Sequence, residues 1–161
     1  REDNFKTWIM VRLKPWFVIG GSDICQKDSR VNTLYVLLGG KCGYVLQQRY
    51  NRFKFIDFHM GTIFGQLDIL GSLWGKNFVD EEGDVKTIDS LFEEWWYFQK
   101  FLQYQYTVSA QEDCELLTLS LEDFWLMRTE FIQVYEDLWS GAHDQVFCLR
   151  KLCGQAIKHM G

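Results

Sequence analysis

Proline is nearly absent from this chain, with one residue at position 15, while tryptophan occurs seven times. That combination argues for dense packing and against a disordered chain. Basic residues are outnumbered: 17 Lys and Arg against 22 Asp and Glu leave a net charge of −5 and a pI near 5.2. Nucleic-acid phosphates are gripped by clustered cations, so no nucleic-acid partner is expected. No apolar run reaches the ~18 residues that a membrane span requires. No signal peptide is visible and the chain opens on Arg1, so the expectation is a piece of a larger protein whose membrane portion, if any, lies elsewhere. The five cysteines (25, 42, 114, 148, 153) form no C-x-x-C step, which favours reduced thiols in a cytosolic compartment.

Signatures of catalysis are missing too. His59, His143 and His159 stand far apart, without the spacings that hold zinc. There is no P-loop, dinucleotide fingerprint or Gly-x-Ser-x-Gly elbow. Glu122 and Asp123 are adjacent, and neighbours on a helix do not face each other as an acid/base pair must. They suit the dipole of a first helical turn instead. Neither an enzyme nor a bound metal is expected.

What the chain has is hydrophobicity in short, glycine-punctuated runs. Apolar residues make up 47% and aromatics 17% of 161 residues, enough for one domain over 1–161 with a substantial core. Phe5, Trp8, Ile9 and Leu13 recur at helical spacing over 4–13, ahead of Pro15. Residues 17–24 alternate around Gly20-Gly21. Residues 34–40 and 42–46 read as two β-runs broken by a glycine turn, and 52–58 as a half-buried strand. Residues 107–110 and 114–119 read as a further strand pair. Ser120 caps a helix whose buried stripe is Phe124, Met127, Phe131, Val134/Tyr135 and Leu138. Ser140-Gly141 interrupts it, and a last helix turns Val146, Leu149, Cys153, Ala156/Ile157 and Met160 inward. The expected class is α+β, mainly β: an antiparallel jelly-roll barrel with an N-terminal helix, two C-terminal helices over about 120–160, and an inserted helix.

One stretch stands out against this background. Met60-Gly-Thr-Ile-Phe-Gly-Gln-Leu-Asp-Ile-Leu70 sets a glycine-framed turn directly before an apolar segment, and Thr107-Val-Ser-Ala110 follows downstream. The order of strand, Gly turn, strand, Phe-Gly-Gln cassette and Thr-Val-x-Ala resembles the cyclic nucleotide-binding domain superfamily over roughly 10–155. The resemblance implies that cassette amides and an arginine three residues before the Thr grip a cyclic phosphate, while a cassette Glu holds the ribose hydroxyl. It maps the pocket onto Phe64, Gly65, Gln66, Leu67, Asp68, Tyr104, Tyr106 and Thr107, with Phe147 and Arg150 on the lid helix.

This chain departs from that pattern where charge matters. Gln66 replaces the Glu and keeps only weaker hydrogen bonding. Asp68 stands where relatives carry a small residue, and a carboxylate ~4 Å from a phosphate costs a few kcal/mol. Tyr104 occupies the arginine position, and losing one partner of a desolvated pair costs about 2–5 kcal/mol. Even 2 kcal/mol weakens binding about thirtyfold. Lys100 and Lys76 are the nearby cations, better suited to solvated positions. Asp28-Ser29 replaces a glycine before the central strand, at a turn that tolerates Asp in the left-handed region.

Residues 71–103 exceed the family plan. Asp80–Asp84 is an acidic loop, and Ile88, Leu91, Phe92, Trp95, Phe98 and Leu102 share one helical face, with Ser90 and Glu93 at capping-box spacing. An aromatic from this insert, or Phe147 or Tyr135, is a candidate to fill the pocket, as some potassium-channel relatives do with their own residues. The expectation is a cytosolic regulatory domain, part of a larger protein such as a cation channel or transporter, with homo-oligomerisation compatible and ordinary cAMP or cGMP binding disfavoured. The alternatives are a cAMP/cGMP sensor with a rearranged pocket and a scaffold in a multiprotein assembly.

Overall fold

The computed structural model describes residues 2–75 and 99–160. Helix α1 (Glu2–Met10) comes first. Strands β1 (Lys14–Val18), β2 (Asp23–Cys25), β3 (Thr33–Gly39), β4 (Cys42–Val45), β5 (Lys54–Asp57) and β6 (Ile63–Phe64) lead to helix α2 (Gln66–Gly75). After a short turn at Gln99–Phe101 come β7 (Thr107–Ala110), β8 (Cys114–Ser120) and helices α3 (Leu121–Glu130), α4 (Ile132–Trp139) and α5 (Ala142–Met160). The predicted insert helix, with Ser90 and Glu93, and the acidic loop at 80–84 lie outside the described residues.

The strands make two antiparallel four-stranded sheets, ordered β1-β8-β3-β6 and β2-β7-β4-β5. They form the mainly β, antiparallel roll expected, with flanking helices, and the two sheets do not close into a barrel. One core joins both sheets, with Leu37, Ile69, Cys114 and Phe124 sealed from solvent. The pairs Leu34↔Leu119 and Leu37↔Leu116 stand three residues apart and so on opposite faces of the sheet, and all four side chains are buried. Gly43 in β4 is obligatory, because a Cβ there would sit 1.9 Å from the Ile56 carbonyl oxygen across the strand.

The runs at 107–110 and 114–119 do not pair with each other. β7 pairs with β2 and β4, and β8 with β1 and β3. The chain changes sheets at 111–113, as it does at 40–41, and the two crossings brace each other: Gln111 N–H donates to the Lys41 carbonyl at 2.8 Å. Gly40 (φ +97°) leaves room there, since its Cβ would meet the Asp113 carbonyl oxygen at 2.2 Å.

Pro15 falls in β1, an edge strand, where a missing donor costs least. Helix α1 stops at Met10, earlier than the spacing predicts, and its Phe5 and Trp8 rings pack on Phe131 at 5.2 and 5.4 Å. The Ser120 cap forms, its hydroxyl accepting Asp123 N–H at 3.2 Å. The C-terminal region holds three helices where two were expected. Phe131 (φ −142°, ψ 65°) breaks the predicted long helix between α3 and α4. Its aromatic contact with α1 is tertiary, so helical spacing cannot announce it. Asp28 adopts φ 72°, as its turn position predicts.

Candidate anion cradle

The cradle begins at the β6–α2 junction. Phe64 is buried and stacks on Tyr35 at 5.0 Å, which anchors the turn. Gly65 takes φ +112°, and a Cβ would press within 3.2 Å of the Thr33 carbonyl oxygen. Gln66 and Asp68 then enter the first turn of α2, both buried, at 8% and 4% exposure. The Gln66 amide Nε2 donates to the Ile63 carbonyl at 3.4 Å. Its Oε1 is buried with no hydrogen-bond partner among the described residues.

Asp68 is the centre of the site. Its carboxyl accepts the Gln105 N–H at 2.6 Å, and the amides of Asp68 itself and Tyr106 also act on it. Burial pushes its pKa up to about 7, and those amides pull the other way. Ser72 fastens the same helix to the same segment, accepting Gln103 N–H at 2.8 Å. Backbone amides converging on an anion form the apparatus a phosphate would use. Here they meet a carboxyl of the chain itself.

The other predicted residues divide. Leu67 and Tyr106 line the cradle; Tyr106 packs on Tyr44 at 5.2 Å and Phe55 at 5.5 Å, and burial pushes its phenol up to about 12. Tyr104 does not line it. Its buried side chain donates its hydroxyl to the Thr33 carbonyl at 2.6 Å, so the residue that the resemblance aligns with the arginine is a core residue. Thr107 accepts Lys27 N–H at 3.0 Å, away from the cradle.

Helix α5 closes the front. Val146, Leu149 and Arg150 meet Tyr44, Leu67, Asp68, Gln105 and Tyr106 around a residual void of about 10 Å³. That is room for about one water at most. Arg150 donates to the Gly71 carbonyl at 3.2 Å, tying α5 to α2. Phe147 is exposed at 59% and is no lid over the void. Tyr135 is buried elsewhere, beside Phe124 at 5.5 Å and Trp139 at 6.0 Å. Lys100 is exposed beside the Phe101 ring, and Lys76 is outside the described residues.

Tyr44, Gln105, Val146 and Leu149 were missed as site residues. Val146 and Leu149 were legible as an inward helical stripe but not as a plug. Gln105 acts through its backbone, which no side-chain pattern reveals.

The architecture is that of cyclic nucleotide-binding domains. It is similar to the Thermus thermophilus catabolite activator protein (TM-score 0.59, 14% identity, 98% of this chain and 58% of that one). It is also similar to the c-di-GMP-responsive global regulator CLP of Xanthomonas campestris (TM-score 0.56, 11% identity, 97% and 61%). A candidate cyclic nucleotide-binding protein of Geobacter metallireducens matches as well (TM-score 0.56, 13% identity, 93% and 86%). The chain thus spans about three fifths of the two regulators. No protein-family model and no curated protein matches the sequence. At these identities the likeness shows the fold. Among the described residues no helix is long and apolar enough to cross a membrane.

Proposed function

We propose that this domain is a non-catalytic regulatory module whose anion cradle is occupied by its own Asp68, so that it takes no cyclic nucleotide in the ordinary mode. The observation that carries it is the buried Asp68 carboxyl on the Gln105 amide, in the cassette turn where the resemblance places a phosphate. A phosphate entering beside an ionised Asp68 meets like charge in a desolvated site, while Tyr104 supplies no cation. The void of about 10 Å³ leaves no space for a phosphate inside the cradle.

The output is mechanical. Helix α5 is tied to α2 through Arg150 and covers the cradle with Val146 and Leu149, so displacement of α5 changes what Asp68 faces. Such a module serves as a cytoplasmic part of a larger protein, and its own side chains filling the pocket favour a cation channel or transporter. Calorimetry with cAMP and cGMP at millimolar concentration tests this: no heat of binding is expected. Saturable micromolar binding of either nucleotide, abolished by Gly65→Val, would overturn the proposal in favour of a sensor with a rearranged pocket.

A further inference from the structure

A separate cleft of about 690 Å³ opens where α1 meets the break between α3 and α4, and it shares no lining residue with the cradle. Its volume falls inside the ~300–1,000 Å³ typical of small-molecule sites. Phe5 and Phe131, edge to face at 5.2 Å, stand in its wall with Ile132 and Val134. The one ionisable side chain in that wall is Glu130. No Lys, Arg or His lines the cleft, and no ion pair engages Glu130 among the described residues.

Glu130 is also the last residue of α3, at the negative end of the helix dipole. A carboxylate is disfavoured there and a cation is favoured. Arg128 stands two positions earlier, and residues so spaced on a helix do not face each other. The cleft thus joins an unpaired carboxylate and a helix C-terminus to aromatic and aliphatic walls. An anion would be repelled. A small metal ion would gain nothing from the apolar walls and keep its water. A bulky ammonium ion suits both parts, because ring quadrupoles attract its charge while its alkyl groups cover apolar surface.

We propose that this cleft binds a free organic ammonium ion, a quaternary amine of the choline class, whose charge is shared between Glu130 and the rings of Phe5 and Phe131. The proposal does not depend on the Asp68 reading.

The test titrates the intact chain with choline and with its neutral tert-butyl analogue, in which carbon replaces the charged nitrogen. Amide chemical shifts give both affinities and their location. Choline should bind saturably, shift the amides of α1 and of 129–134, and bind at least about tenfold more tightly than the analogue. Glu130→Gln, at an exposed position, should weaken choline about fivefold and leave the analogue unchanged. Phe5→Leu, which keeps an apolar side chain and removes the ring, should weaken choline about threefold. Should Phe5→Leu fail to fold, the Glu130→Gln comparison carries the test. No saturable choline binding, equal affinities for the two probes, or a choline affinity that Glu130→Gln leaves unaltered each overturns the proposal. Capture of phosphatidylcholine vesicles without binding of free choline overturns it too, because the site would then be a membrane contact. None of these results bears on whether the cradle takes a cyclic nucleotide.

Discussion

Asp68→Asn isolates the energetics of the cradle. The folded carboxyl has its pKa raised to about 7, mainly by burial, whereas in the unfolded chain it titrates near the ordinary ~3.9. Between those values the folded protein keeps a proton that the unfolded chain has released. The contribution to stability is therefore complete below about pH 4 and is lost as pH rises through about 7. A shift of about three pH units corresponds to about 4 kcal/mol. Asparagine has no proton to lose, so the variant should lack this slope while keeping every other titration. Urea unfolding of both proteins at intervals from pH 4 to 9 reads the difference. The wild type should lose stability relative to Asp68→Asn by up to about 1.4 kcal/mol per pH unit, levelling off above pH 8. Parallel profiles, or an Asp68 carboxyl carbon that titrates near 4 by NMR, would refute the reasoning. The converging amides would then outweigh desolvation, and the cradle would hold a permanent anion.

Tyr104→Phe leaves the half-buried Thr33 carbonyl without its 2.6 Å donor and should cost about 1–2 kcal/mol in chemical denaturation, with no effect on nucleotide binding. Gly43→Ala drives a Cβ into the Ile56 carbonyl and should prevent β4 and β5 from pairing, seen as a large fall in melting temperature; a drop of under about 2 °C would contradict it. Phe131→Ala removes the ring on which Phe5 and Trp8 rest and should cost about 2–4 kcal/mol, with limited proteolysis shifting to the α1 segment. Arg150→Ala removes the bond to the Gly71 carbonyl, so amide exchange in α5 should accelerate while global stability changes by no more than about 1.5 kcal/mol.

Much of the fold was legible because its signals are local. Apolar runs broken by a glycine turn marked β3 and β4, Ser120 marked the start of α3, and the glycine-framed cassette marked the β6–α2 turn. The cradle was legible only in part. Asp68 was legible as hostile to a phosphate, but not as a carboxyl held by backbone amides, because that depends on the Gln105 amide 37 residues downstream in sequence. Phe147 and Tyr135 were reasonable candidates to fill the pocket, as aromatics in the right region. Val146 and Leu149 fill it because the rotation of α5 is set by its packing on α2 and β5.

The sequence by itself determined most of the strand segments, where glycine must turn the chain, and that a carboxylate and a tyrosine stand at the positions where the resemblance expects a small residue and an arginine. The strands and turns follow from side-chain patterning, a property carried locally, while the comparison at those two positions comes from the resemblance. Tertiary structure alone decided which sheet each strand joins, where the C-terminal helix breaks, and that Tyr104 turns into the core while Asp68 is held by backbone amides. Those outcomes depend on surfaces brought together from distant parts of the chain, whose balance of burial and hydrogen bonding exists only once the two sheets and α5 have met.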